Sequence, residues 1–229
     1  MWKALPHGHT VIAREQLAGR GRSGKSFYSP KDDGLYFSFL LKDEKYLNDP
    51  MFTVKMSYIL CKAIDKLTET EDVKIKWVND IYIGPKKIAG ILCEALSDKE
   101  QKGIIVGIGV NFTLNKGEVP QELRGKIGCL RDVAKKPYRK EKLCALILDG
   151  VEESFATNNS SSDFLSLYRK RSSILGKEIK VLKNGEFIRA AALNISEDGG
   201  LVVRYENGIT EKLTAGEISI FADENTQTV

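Results

Sequence analysis

Residues 73–112 read VKIKWVNDIYIGPKKIAGILCEALSDKEQKGIIVGIGVNF, and their pattern decides the fold. Three β-prone runs lie within them: VKIKW (73–77), IYI with KIAGILCEAL (81–96), and GIIVGIGVNF (103–112). Only turn residues separate these runs. A parallel pair needs a crossover of about a dozen residues or more, so strands this close together must meander antiparallel. That argues against a doubly wound nucleotide-binding fold, in which helices alternate with parallel strands.

Outward from this core, GLYFSFLL (34–41) is aromatic and β-prone, and Thr10 to Glu15 reads as a short strand after a turn at Pro6 and Gly8. Over 50–69, Phe52, Met56, Ile59, Leu60, Ala63, Ile64 and Leu67 recur at three- and four-residue spacing. That spacing predicts an amphipathic helix, with Asp49 as its N-cap before Pro50. Residues 139–157 and 163–174 also read as helices, joined by a short linker NNSSS (158–162). From Gly176 the texture changes to EIKVL, FIRAAALNI, LVVRY, GITEKL and EISIF, separated by the turn signals KNGE, EDGG and ENG. The expected architecture is α+β: a mixed, largely antiparallel sheet with helices over residues 1–174, then a small SH3-like β-barrel over 175–229.

Composition narrows the function classes. The chain has 229 residues, 35 Lys plus Arg against 31 Asp plus Glu, a net charge of +4, and 42% hydrophobic residues. This balance argues against disorder and gives no electrostatic footprint for a nucleic-acid partner. The four cysteines, Cys61, Cys93, Cys129 and Cys144, are far apart and mostly in apolar runs, which predicts reduced, buried thiols. No apolar run approaches the roughly 18 residues of a membrane span, and no signal peptide is evident, so the expected compartment is the cytoplasm, with no membrane partner. His7 and His9 have no Cys or carboxylate at ligand spacing, and no metal site is expected.

Residues 19–26, GRGRSGKS, match G-x-x-x-x-G-K-[ST], the phosphate-binding loop of nucleotide triphosphatases. Such a loop works because a helix follows at once and aims its N–H groups at the phosphates. Here FYSPKDDG follows, and Pro30 and Gly34 break any helix within about a turn. What the loop offers instead is three glycines among Arg20, Arg22 and Lys25, a flexible cationic strip suited to an anionic ligand.

Taken together, Gln16, the run GRGRSGKSF (19–27), KWVND (76–80), KIAG (87–90) and GIGVN (107–111) resemble, in order and spacing, the biotin protein ligases, in particular the short class without an N-terminal DNA-binding domain. The resemblance runs from about residue 5 to 221. It implies a catalytic domain of the class II synthetase-like kind that activates biotin with ATP and Mg²⁺ to biotinyl-5′-AMP. The acyl group then passes to one lysine of a biotin carboxyl-carrier protein. Lys87 is implied as the central cation touching the biotin carboxyl and the adenylate phosphate. Arg22 would bind phosphate and retain the adenylate, and Asp80 would orient the acceptor lysine or help take its proton. The implied biotin- and nucleotide-binding residues are Gln16, Gly19, Arg20, Gly21, Lys25, Phe27, Trp77, Asn79, Gly90, Leu92, Gly107, Gly109 and Asn111. Some relatives form a homodimer through a sheet surface and others do not, and nothing in this sequence chooses between them.

The sequence departs from the family pattern at several points. Phe27 stands where relatives carry Trp, Lys25 where they often have Arg, and Val78 where they have Pro. Relatives also place a Ser-Thr turn that binds the biotin ureido group before the segment matching LPHGH (5–9), at which the sequence given opens. Two lost hydrogen bonds of that kind imply affinity weaker by about 30- to 10⁴-fold. That motivates an alternative: a degenerate ligase-like binding module. A nucleotide triphosphatase is the other alternative.

Overall fold

The computed structural model describes residues 2–98, 101–135, 137–156, 161–214, 216 and 218–220. Six strands form the first sheet: β1 (Thr10–Ala13), β2 (Gly34–Leu41), β3 (Val73–Lys76), β4 (Asp80–Ile83), β5 (Lys86–Ser97) and β6 (Lys102–Asn111). Their order is β1-β2-β6-β5-β4-β3, and every pairing is antiparallel. The meander is as the short connections require, with one refinement. The run 81–96 is two strands, not one, because Gly84 adopts φ 55° and turns the chain back at Gly84-Pro85.

Four helices accompany the sheet: α1 (Glu44–Leu47), α2 (Phe52–Thr68), α3 (Lys140–Ala156) and α4 (Ser161–Arg171). The seven apolar residues whose spacing predicts α2 are all buried, and α2 packs against β3, β4 and β5 as well as α3 and α4. Asp49 lies two residues ahead of the structural cap, Met51 being the residue before the helix. Its carboxylate still accepts the Met51 N–H at 2.9 Å and pairs with Lys55 at 2.6 Å. Lys55 is buried between the rings of Phe155 and Phe164, where that pairing and the ring faces offset its desolvation. Of the linker 158–162, Ser161 and Ser162 begin α4, and the remainder lies outside the described residues.

The second sheet comprises β7 (Glu178–Lys183), β8 (Glu186–Ile195), β9 (Leu201–Tyr205), β10 (Thr210–Leu213) and β11 (Ile218–Ile220), ordered β10-β9-β8-β7-β11. Among the described residues β10 and β11 do not pair, so the expected barrel is an open antiparallel sheet. The two edge strands span only four and three residues, too short for the tilt and stagger that closure demands. This sheet is joined to the first by Trp77, which follows β3 and whose indole N–H donates to the Gly199 carbonyl at 2.9 Å, and to α4 by Arg169, whose Nε donates to the Ile195 carbonyl at 3.1 Å.

All four cysteines are free; burial pushes the Cys61 thiol up to about 12 and the Cys93 thiol up to about 11. No described helix is long and apolar enough to cross a membrane.

Asp65 on α2 shows burial winning over an ion pair. Arg171 reaches its Oδ2 at 2.5 Å, yet Oδ1 is buried with no hydrogen-bond partner, and burial raises the carboxyl to about 6. The native state therefore holds this proton more tightly than the unfolded chain, whose Asp titrates near pH 4. Its contribution to stability is full below about pH 4 and declines as pH rises through 6, by about 3 kcal/mol. Asp65→Asn should flatten that part of the profile in urea denaturation between pH 4 and 7; an unchanged slope would refute the assignment.

Candidate functional site

A cavity of about 270 Å³ lies on the face of the first sheet away from α2. Its floor follows from residue size. On β5, Gly90 and Leu92 stand opposite Gly109 and Gly107 of β6, so three of four floor positions have no side chain and a ligand can lie against the backbone.

One wall is the cationic loop. Its arms are held by Gln16, whose N–H donates to the Ser29 carbonyl at 3.1 Å and whose Oε1 accepts the Ser29 hydroxyl at 2.8 Å. At the neck the Phe27 N–H donates to the Gly19 carbonyl at 2.8 Å, and a Cβ on Gly19 would fall 2.4 Å from the Phe27 oxygen, so only glycine fits. Within the loop Gly21 donates to the Lys25 carbonyl at 2.7 Å, and Arg22–Gly24 make a single 3-10 turn in which Ser23 and Gly24 have φ of 55° and 74°. No α-helix follows until Glu44, so the phosphate-binding-loop reading of GRGRSGKS is wrong: a helix N-terminus is not there to meet phosphates.

The opposite wall is the β3–β4 turn. Asn79 is buried and grips β5 twice: its Nδ2 donates to the Ile91 carbonyl at 2.7 Å and its own carbonyl accepts the Ile91 N–H at 3.0 Å. Its Oδ1 then accepts from Arg22 at 3.1 Å, linking the loop to the sheet across the cavity. Asp80, next along, lies 2.7 Å from Lys87, with both side chains about three-quarters buried. Lys87 passes over Gly90, where a Cβ would meet its Cε at 3.3 Å, and its ammonium lies 5.8 Å from the centre of the Phe27 ring. Phe27 in turn lies on Gly109, where a Cβ would come within 2.4 Å of the ring. The Lys87 backbone is anchored by the loop after β6: Lys87 N–H donates to the Lys126 carbonyl and Gly128 N–H to the Lys87 carbonyl, both at 2.9 Å.

The structure thus brings together Gln16, Arg20, Gly21, Arg22, Lys25, Phe27, Trp77, Asn79, Asp80, Lys87, Gly90, Leu92, Gly107 and Gly109 as lining. Two expected residues lie outside it. Gly19 is buried in the loop neck, and Asn111 donates to the Gly128 carbonyl at 3.0 Å, steadying the segment that pairs with Lys87. Trp77 lines the cavity while its indole N–H is spent on Gly199.

Sequence reasoning missed Ser38, Lys76, Glu94, Gly216 and Ile218, all of which line the cavity. Glu94 pairs with Arg20 at 3.0 Å, and as a lone charge in the apolar run ILCEAL it carried a signal. Ser38, a single hydroxyl in GLYFSFLL, carried one too. Ile218 comes from β11 of the second sheet and Gly216 from just ahead of it; the run GEIS (216–219) resembles the family's G-[DE]-[IV]-S, but no site follows from that short run, and Glu217 and Phe221 lie outside the described residues. The lining holds Arg20, Arg22, Lys25, Lys76 and Lys87 against Asp80 and Glu94, a cationic cleft fitted to an anion. Among the described residues no group of three or more His, Cys, Asp or Glu could hold a metal ion.

Residues 2–111 match the biotin/lipoate A/B protein ligase family, and residues 174–220 match the biotin protein ligase C-terminal domain. A biotin protein ligase from Aquifex aeolicus, solved in complex with biotin and ATP, superposes with a TM-score of 0.80 at 29% identity, covering 94% of this chain and 89% of that one. The bifunctional ligase/repressor BirA of Bacillus subtilis is 26% identical over 94% of this chain and 67% of its own length. The biotin–[acetyl-CoA-carboxylase] ligase of Mycobacterium tuberculosis is 24% identical over 92% of this chain and 78% of its own length. The chain thus carries, in order, a biotin/lipoate A/B protein ligase domain over residues 2–111 and a biotin protein ligase C-terminal domain over residues 174–220.

Proposed function

We infer that this chain is a biotin protein ligase that adenylates biotin with MgATP and transfers the biotinyl group to a lysine of a biotin carboxyl-carrier protein. The observation that carries the reading is the meeting of Lys87, Arg22, Asn79 and Asp80 at one end of a glycine-floored, cationic cleft. Residues 1–174 would form the catalytic unit and 175–229 the C-terminal one.

In the first step a biotin carboxylate oxygen attacks the α-phosphorus of ATP, the bond to the bridging oxygen breaks, and pyrophosphate leaves. Two anions must approach, so the work of this chain is to neutralise and position them. Lys87 is partly desolvated and held over Gly90, where it can face the carboxylate and the α-phosphate together. Arg22, fixed by Asn79, is placed on the phosphate side. Arg20, Gly21 and Gln16 line the biotin side with Gly107 and Leu92, Phe27 offers a π face, and Lys25 adds a cation at the loop. Magnesium would enter with the ATP phosphates and supply charge neutralisation there, since hard cations of this kind keep most of their waters and take few protein ligands.

In the second step the neutral ε-amine of the acceptor attacks the acyl carbon, the acyl–phosphate bond breaks, AMP leaves, and the amine sheds a proton. Once Lys87 turns toward the adenylate, the Asp80 carboxylate is freed to orient the incoming amine and take part in that proton's removal.

Biotin-dependent exchange of pyrophosphate into ATP tests this reading directly. Exchange that requires biotin is expected; no exchange with biotin would overturn it, in favour of a nucleotide triphosphatase if the chain still hydrolyses ATP at a rate independent of biotin, and of a non-catalytic binding module if it does not.

A further inference from the structure

Strand β2 is buried at every position except Ser38. Its neighbours along the strand, Phe37 and Phe39, are buried in the hydrophobic core, while Ser38 is only partly buried and lines the cavity. The hydroxyl has no hydrogen-bond partner among the described residues, and it lies 3.5 Å from where a Cβ on Gly107 would be. A hydroxyl kept in the middle of an apolar strand, aimed over a bare glycine and satisfied by nothing in the protein, is placed to serve a ligand.

The register says which part of the ligand. Asp80, Gly90, Gly109 and Tyr36 stand side by side across β4, β5, β6 and β2, and this row holds the Lys87–Asp80 pair. Leu92, Gly107, Ser38 and Val11 form a parallel row two residues further along. Two residues of strand span about 6.8 Å, comparable to the pentanoyl chain that separates biotin's carboxylate from its ring system. With the carboxylate at Lys87, the bicyclic ring falls over Gly107 and beside Ser38. The group on that ring rich in donors and acceptors is the ureido unit, and a hydroxyl can pair with either its N–H or its carbonyl.

We propose that Ser38 is a specificity residue for biotin, its hydroxyl hydrogen-bonding the ureido group and setting the ring's orientation. The proposal rests on the ligase reading and adds a residue of the first-sheet floor to it.

The test is calorimetric binding with the full chain and three ligands: biotin, desthiobiotin, which keeps the ureido unit but lacks the ring sulfur, and ATP. Ser38→Ala is expected to weaken biotin and desthiobiotin by the same factor, about tenfold, with ATP affinity unchanged, and Ser38→Thr is expected to restore most of the loss. Biotin affinity within twofold of the parent overturns the proposal. So does a penalty absent for desthiobiotin, which assigns the hydroxyl to the sulfur, or an equal loss for ATP, which makes the effect structural. A parent chain that binds ATP but not biotin removes the ligase reading itself, and the proposal with it.

Discussion

Lys87→Ala should lower biotin-dependent pyrophosphate exchange by about 10³-fold, the scale seen when one preorganised stabiliser of developing charge is removed. Melting temperature should barely change, because the ammonium sits in a cleft and its ion pair with Asp80 is partly solvated. Lys25→Ala, by contrast, should cost about tenfold, since its ammonium is a point charge on a long flexible stem and is less well preorganised. The ranking is the discriminating result: a larger loss from Lys25 than from Lys87 would reinstate the phosphate-binding-loop reading of GRGRSGKS. Lys87→Arg should rescue poorly. Lys87 already runs within 3.4 Å of the space over Gly90, and a planar guanidinium is broader than an ammonium.

The second large effect is on retention of the intermediate. Arg22 is the loop cation held across the cavity by Asn79, which is itself fastened to Ile91 of β5 by one side-chain and one backbone hydrogen bond. Arg22→Ala removes a charge-assisted contact to the adenylate phosphate, about 1.5–3 kcal/mol, so biotinyl-5′-AMP should leave about 10- to 100-fold faster. Filter-binding of radiolabelled adenylate after a chase would measure it, and an unchanged release rate would refute the role. Asn79→Ala should act through the same contact, so the double variant should lose less than the product of the singles. Strict multiplicativity would mean that the Arg22–Asn79 bond has no part in retention.

Much of this was legible before any coordinates. The antiparallel meander followed from connections too short for crossovers, and α2 from the spacing of seven apolar residues that are all buried. The motif residues could be named because their chemistry is local to short runs: three glycines among cations, Lys87 just ahead of Gly90, and glycines at alternate positions of GIGVN. What was not legible depended on contacts between residues distant in the chain. Asn111 looks like a pocket residue in GIGVN, yet its amide is used on Gly128, seventeen residues on. The barrel expected from five β segments is an open sheet because its end strands are short, a property of hydrogen-bonded pairing that composition does not record.

By itself, then, the sequence determined the order of elements, the faces they bury and the chemistry of the cationic loop, because periodicity and turn residues act over a few positions at a time. Tertiary structure alone decided that Glu94 faces Arg20 across 74 residues, that Trp77 spends its indole on Gly199 across 122, and that Ser38 overlooks Gly107. Strand register made these choices. A shift of one residue between β2 and β6 would put Ser38 opposite a different neighbour and turn its hydroxyl to the other face, and register is set by the whole buried face rather than by any short run of residues.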